Sequence, residues 1–339
     1  LTAPLPQDRG HDRALAALQG LAIGDALGMP SQTLDRAAIR AGYGRITTFV
    51  DPVPGHPVSH GLVAGQVTDD TEQTLLLAQR LIVDRGGFDV AGWAADLIGW
   101  EDSVATRGLR DLLGPSTKAA LMALRAGATE AEAGRGGTTN GAAMRITPVG
   151  IATPPDPARM LVRVAQVSRL THGTGEALAG AVAVAMVISQ GLEGATFDEA
   201  LPLALAAAEM PNTGTDPAAH RAMADRIRAA LELVGQGGVG QGEADLAARI
   251  GTSVQSLQSV ACAFGVVRLA RGDPWAAAQI AANIGDDTDT IGAIACAMAA
   301  ACAGTASLPA EQVQKVERIN QLDLAPLVGG LLALRRAAR

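Results

Sequence analysis

The sequence predicts an all-α fold, a single compact domain of about a dozen helices. Three observations carry this. Hydrophobic residues make up 48% of the 339 residues and charged residues only 18%, so a large core is expected. Aromatics are 2% and alanine is abundant, so that core is filled by small aliphatic side chains, which let helices approach closely. The alternating Val, Ile, Tyr, Phe and Thr of strands is scarce.

The elements follow in order. Helical periodicity begins near Arg13 in "RALAALQGLAIGDALG". From Met29 to Gln66 the chain is rich in Pro, Gly and His and reads as a long functional loop. Helices are expected at about Glu72–Val83 and Val90–Trp100, and then after "LLGPST", with Ser116 as N-cap. Gly134–Gly150, "GRGGTTNGAAMRITPVG", reads as a glycine-rich loop. Further helices are expected at about Pro157–Leu170, Gly175–Gln190, Thr196–Glu209 and Ala218–Val234. "GQGGVGQGEAD" breaks the pattern as a mobile excursion. Ser253–Arg271, Pro274–Asn283, a helix begun by "GDDTDT" and one or two helices over Ala310–Arg335 complete the chain. No linker or repeat divides it, so residues 1–339 are read as one domain.

Composition also excludes function classes. The net charge is -7 with the acids dispersed, and there is neither a basic stripe nor a set of aromatics for base stacking, which argues against nucleic acid. The first residues lack the apolar stretch of a signal peptide, and a chain starting at Leu1 is expected to be a processed form or a fragment. Apolar runs such as "AGAVAVAMVI" fall short of the roughly 20 residues that span a bilayer. Cys262, Cys296 and Cys302 lie in apolar segments without C-x-x-C spacing and read as buried thiols of a cytoplasmic protein. His56 and His60 have an H-x₃-H spacing, but Pro57 argues against the helix that zinc binding would need. Phe264 and Trp275 read as core.

Two acidic clusters stand out. "VTDDTEQTLLLAQRL" (Val67–Leu81) and "IGDDTDTIGAIACAMAAA" (Ile284–Ala301) each place adjacent acids and threonines directly before an apolar helix. One carboxylate suffices to cap a helix and meet its dipole. Two adjacent ones, twice over, exceed that need and invite a hard cation, Mg²⁺, Mn²⁺ or Ca²⁺. Thr68, Asp69, Asp70, Asp287, Asp289 and Thr290 offer six oxygen-bearing side chains, enough for two metals; the competing reading is capping plus surface charge. In the stretch around "NGAAMR" (Asn140–Arg145), Gly136, Gly137 and Gly141 would allow a backbone nest for an anion.

Five motifs in register resemble the ADP-ribosylglycohydrolase family: "GLAIGDALGMP", "TDDT", "NGAAMR", "TH" at Thr171–His172, and "GDDTDTIGA". The family includes the dinitrogenase reductase-activating glycohydrolase, the ADP-ribosylarginine and ADP-ribosylserine hydrolases and the J1 crystallins. The resemblance spans about residues 13–305. It implies a central cleft holding two divalent cations, Mg²⁺ or Mn²⁺, with Thr68, Asp69, Asp70, Asp287, Asp289 and Thr290 as ligands and Asp289 bridging. It implies catalytic work for Asp69, Asp70 and Asp289, and substrate contacts for Asn140, Gly141, Ala142, Met144, His172 and Gln32. Arg145 is open between an ion-pair role and a ligand contact, and Asp25 between holding loops and contact with the metal site. Asp286 stands where the family usually has Gly, and is not counted as a ligand.

One departure matters. The family pattern places a glutamate shortly after "GDALG"; here that position is Gln32, and an amide cannot act as a general base. The role would pass to Asp35, to Asp69 or Asp70, or be lost. The implied activity is metal-dependent cleavage of the ribosyl C1 bond of an ADP-ribosylated protein or conjugate. The alternatives are an N-ribosyl hydrolase of a small nucleoside-like or ribosylated metabolite, which Gln32 favours, and a non-catalytic binding or structural member.

Overall fold

The computed structural model describes residues 6–109, 113–236 and 238–338. It is all-helical, and among the described residues the only β-type pairing is an isolated bridge between Thr139 and Gln255. The chain forms α1 (Pro6–Gly28), α2 (Arg36–Tyr43), α3 (Asp69–Val83), α4 (Val90–Thr106), α5 (Pro115–Arg125) and α6 (Glu130–Ala133). Next come α7 (Gly141–Met144), α8 (Thr147–Ala152), α9 (Pro157–Ser168), α10 (Gly175–Leu192), α11 (Phe197–Glu209) and α12 (Pro217–Leu233). The last six are α13 (Val239–Asp245), α14 (Ser256–Leu269), α15 (Pro274–Ala281), α16 (Thr288–Ala303), α17 (Ala310–Asn320) and α18 (Ala325–Ala337).

Helix starts follow local chemistry. Asp156, Asp216 and Asp273 cap α9, α12 and α15 with side-chain oxygens, each followed by Pro at the first helical position. Thr196 and Glu199 form a capping box at α11. At α5 Gly114 holds the cap position with Pro115 after it; Ser116, the expected cap, instead accepts a hydrogen bond from the Thr139 amide.

Three expected loops contain helix. Within Met29–Gln66, Asp35 caps α2 by accepting from the Ala38 amide, and Ile39 anchors that helix in the core. The rest of that segment is irregular but tethered, since Asn283 brackets Ile46 through both of its backbone groups. The glycine-rich stretch forms α7 and α8 because its glycines allow close packing: a Cβ on Gly137 would lie 2.0 Å from the Thr171 carbonyl oxygen. In "GQGGVGQGEAD" most residues enter α13, where Gly242 packs against Leu269; Gly237 lies outside the described residues.

The centre of the molecule is α10 and α16 with α1 laid against α16. α10 is buried on nearly every side. Its 18 residues are long and apolar enough to cross a membrane by length and composition alone, but 89% of that window is buried inside the protein, as in a core helix. Phe264 is fully buried against Phe197, and Trp275 meets Phe49 edge-on. The three cysteines are free and buried.

α1 and α16 form the most extensive helix pair. Gly20, Gly24 and Gly28 recur every fourth residue and face α16 in antiparallel order, meeting Cys296 and Ala300, then Gly292, then Thr288 and Asp289. This stripe brings the C-terminal end of α1 against the N-terminal end of α16, where the second acidic cluster sits.

Candidate active site

Both acidic clusters open a helix. Thr68 is the N-cap of α3, with Asp69 and Asp70 in its first turn, and Asp287 is the N-cap of α16, followed by Thr288, Asp289 and Thr290. The two helix starts meet, for Thr290 Oγ1 lies 3.4 Å from Asp70 Oδ2.

Asp25, at the end of α1, holds the first cluster in shape. Its buried carboxylate accepts from the Thr68 amide at 3.0 Å, the Thr68 hydroxyl at 2.8 Å, the Thr71 amide at 3.1 Å and the Thr71 hydroxyl at 2.5 Å. Its role is thus to fix the turn that presents Asp69 and Asp70. Thr288 ties α16 back to α1 by donating to the Gly28 carbonyl, and Ser31 joins the same cluster.

A cavity of about 190 Å³ opens between these helix starts. Asp69, Asp287, Asp289 and Thr290 face it, with Asn140, Gly141 and Met144 on a second side and Gln32 on a third. Leu113, Pro115, Thr117 and Val254 also contribute walls; no motif in the sequence pointed to them. Thr68 and Asp70 stand immediately behind, almost wholly buried.

The Asn140 turn is pinned from below. Its amide bonds the Val254 carbonyl, and Ser256 bonds back to Thr138 and Thr139. Asn140 Nδ2 donates to Asp287 Oδ2 at 2.5 Å and to Ser259 Oγ at 2.8 Å, so this side chain orients an acid of the second cluster. Ala142 is fully buried and does not reach the cavity. His172, expected to meet substrate, is also fully buried behind the wall: a Cβ on Gly141 would lie 2.6 Å from its ring, so it supports the turn. Gly137 and Gly141 therefore serve packing, while a Cβ on Gly136 would meet open space.

Arg145 is buried and makes neither an ion pair nor a cavity contact among the described residues. It donates to Gln73 Oε1 and to Thr171 Oγ1, and lies 5.6 Å from the Trp93 ring centre. Gln73, one helical turn after Asp69, donates to Asp69 Oδ2 at 3.1 Å. That i, i+4 spacing was the available signal for Gln73.

Gln32 donates to Ser59 Oγ, which donates to the Met29 carbonyl. His56 shapes the same loop by accepting at Nδ1 from the Ser59 and Val58 amides, while His60 is exposed. Asp35 is occupied as the α2 cap and does not line the cavity. Asp286 takes a left-handed φ of 65° and turns outward.

The electrostatics are those of crowded acids. Burial raises Asp69, Asp70 and Asp289 well above the usual carboxylate range, and the negative charges of neighbouring acids raise them further. Burial lifts Asp287 to about 7 against the Asn140 hydrogen bond, and Asp25 to about 6 against its four donors. Burial lowers Arg145 to about 10 and holds His172 well below its usual range, hence neutral.

Among the described residues no three His, Cys, Asp or Glu side chains converge into a ready cage for an ion. The chemistry of the donors still fits a hard cation. They are all oxygen, they repel one another when bare, and Asp70 Oδ1 is buried without a hydrogen-bond partner. An orphaned carboxylate oxygen beside like charges asks for a positive ligand.

The profile of the ADP-ribosylglycohydrolase family matches residues 6–339. The chain belongs to this family. It is 34% identical over 317 residues to the uncharacterized protein YegU of Escherichia coli (strain K12), an alignment covering 92% of this chain and 94% of that one. It is 29% identical over 344 residues to the ADP-ribosylarginine hydrolase Tri1 of Pseudomonas putida (strain GB-1), covering 97% and 83%. A solved structure described as an ADP-ribosylglycohydrolase-related protein complex superposes with a TM-score of 0.68 at 26% identity, covering 98% of this chain and all of that one. The fold is thus the all-α fold of this family, and the chain is a hydrolase of the ADP-ribosylglycohydrolase type.

Proposed function

We propose that the protein is a metal-dependent glycohydrolase that cleaves the ribosyl C1 bond of an ADP-ribosylated substrate at the cavity between α3 and α16. The observation that carries the reading is the meeting of two acidic helix starts around one small cavity, with Asp70 Oδ1 buried and unpartnered. Thr68, Asp69, Asp70, Asp287, Asp289 and Thr290 are the residues that would hold two divalent cations, Mg²⁺ or Mn²⁺. Bound there, such ions supply an acidified water and an anchor for the paired hydroxyls of a ribose.

Glycosides of ribose part through an oxocarbenium-like state, and carboxylates facing the sugar favour its positive charge. Asp70, immediately behind the cavity wall with one oxygen free of hydrogen bonds, would be the acceptor for the proton of the attacking water. Asn140 keeps Asp287 aimed at the cavity, and Met144 and Leu113 give its walls an apolar part that limits bulk water. The acceptor group is drawn from relatives: Tri1 is named for ADP-ribosylarginine, which supports an ADP-ribosylated protein as partner.

A second reading has its own support. Gln32 reaches the cavity as an amide whose nitrogen is committed to Ser59, so it supplies no base. The cavity of about 190 Å³ is smaller than the few hundred Å³ that larger ligands occupy. Both favour a small ribosylated metabolite.

Turnover with added Mg²⁺ or Mn²⁺ separates these readings, using an ADP-ribosylated arginine or serine peptide beside a panel of small ribosides, with Asp289→Ala as blank. Release of ADP-ribose from the peptide, absent in the variant, supports the first. Release of ribose or a ribose phosphate from ribosides alone supports the second. No metal-dependent turnover on either panel overturns both.

A further inference from the structure

We propose that Arg145 and Gln73 form a positioning relay that sets the Asp69 carboxylate for a divalent cation, an inference that rests on the metal reading given above. Arg145 sits at the end of α7 with 1% of its surface exposed. A buried guanidinium is costly unless a counter-ion meets it. Yet its partners are all neutral: Gln73 Oε1 at 2.6 Å, Thr171 Oγ1, His172 Nδ1 at 3.4 Å and the face of Trp93. Asp69, whose negative charge it also feels through space, is joined to it by hydrogen bonds only through Gln73.

The relay has a defined polarity. Arginine can only donate. Gln73 must therefore turn its oxygen to Arg145, which leaves its amide nitrogen facing Asp69 Oδ2 at 3.1 Å. A lone glutamine could present either end, and the reversed amide would aim an oxygen at the carboxylate. Arg145 removes that choice. One oxygen of Asp69 is thus held by a fixed donor while the side chain still faces the cavity.

The same guanidinium sets the other wall. Its Nη2 also lies 3.4 Å from His172 Nδ1, which meets Thr171 Oγ1 at 2.8 Å, while the ring's Nε2 lies 3.0 Å from Thr139 Oγ1. The ring so oriented is the one against which Gly141 packs. A single buried charge therefore orders an acid of the first cluster and the turn that holds Asp287 in the second. Outer partners of metal ligands of this kind act on metal affinity.

The test is Mn²⁺ binding to the full chain, by calorimetry and by the electron paramagnetic resonance of free Mn²⁺, for the wild type, Gln73→Met, Arg145→Lys and Asp289→Ala. Circular dichroism and the melting temperature of each metal-free protein are recorded alongside. The expected result is Mn²⁺ affinity weakened about tenfold or more in Gln73→Met and Arg145→Lys, the scale on which such partners act, with the fold retained. A merely structural role would lower the melting temperature and leave affinity unchanged. A folded Gln73→Met that binds Mn²⁺ like the wild type overturns the relay even where Arg145→Lys fails to fold. A wild type that binds no Mn²⁺ overturns the metal reading and the relay together, whereas wild-type binding lost in Asp289→Ala but kept in Gln73→Met overturns the relay alone.

Discussion

Gly24 of α1 and Gly292 of α16 meet backbone to backbone. A Cβ added to Gly24 would lie 2.1 Å from the Gly292 carbonyl oxygen, and one added to Gly292 would lie 2.5 Å from the Gly24 carbonyl oxygen. This contact sets how near the end of α1, carrying Asp25, comes to the start of α16, carrying Asp289. The charge of the site and the small residues of the core are therefore one feature: only helices without side chains at the crossing bring the two acidic turns together.

Gly24→Ala is expected to force the two helices apart. Overpacking a core costs about 1–3 kcal/mol, and more where the obstacle is backbone, which cannot rotate away. The melting temperature should fall, and Mn²⁺ affinity should fall with it as the clusters separate. Retention of both would show that the crossing is not what positions the site.

Metal-free stability should decline as pH rises through the neutral range. Asp25 and Asp287 have folded-state pKa values raised from 3.8 to about 6 and about 7, and Asp69, Asp70 and Asp289 are raised as well. The folded chain thus keeps protons that the unfolded chain has released, so the unfolding free energy falls between about pH 4 and pH 7. With chelator present, the melting temperature should be lower at about pH 7.5 than at about pH 5, and Mn²⁺ should restore more at the higher pH. Calorimetric scans at both values decide it; a metal-free melting temperature that climbs with pH would count against a buried acidic cluster.

Asp25→Asn should disable the site without touching the cavity wall. Four donors converge on the Asp25 carboxylate. An amide nitrogen in place of one oxygen would face donors, leaving buried hydrogen bonds unmade at about 1–3 kcal/mol. The Thr68–Thr71 turn should shift, and turnover should drop by at least about tenfold, since a small misplacement of reacting groups is costly. Unchanged steady-state kinetics would remove Asp25 from the account.

Gln32→Glu tests the missing base. Glutamate would offer the cavity a carboxylate, at the cost of the donor that Ser59 now receives. The expected result is faster turnover of an ADP-ribosylated peptide, by about the 10²-fold low end of general base catalysis, with a new acidic limb in the pH–rate profile. An unchanged profile would mean that the base lies elsewhere, with Asp70 the first residue to examine.

Gly141→Ala should act through His172. The added methyl would press on the imidazole ring at 2.6 Å and push the Asn140 turn outward. Asn140 would then lose its hold on Asp287. Weaker Mn²⁺ binding with normal circular dichroism is expected, and wild-type affinity would argue that the turn does not set Asp287.

The sequence by itself determined the helical class, the family and the two acidic helix starts. These are local properties: small-residue composition, 3.6-residue periodicity, and Asp and Thr placed directly before apolar runs. It missed α2, α7, α8 and α13, because in glycine-rich or short segments helix is decided by packing partners, such as Ile39 in the core or Gly242 against Leu269, and it passed over α6, whose Thr129–Glu132 capping box was a local signal. Only the tertiary structure decided that His172 and Arg145 lie behind the cavity, that Asp35 does not line it, and that Gln73 also meets Arg145. The physical reason is that a side chain's role depends on what faces it, and in this protein those partners come from distant elements, from α1 against α16 to Asn140 against Asp287.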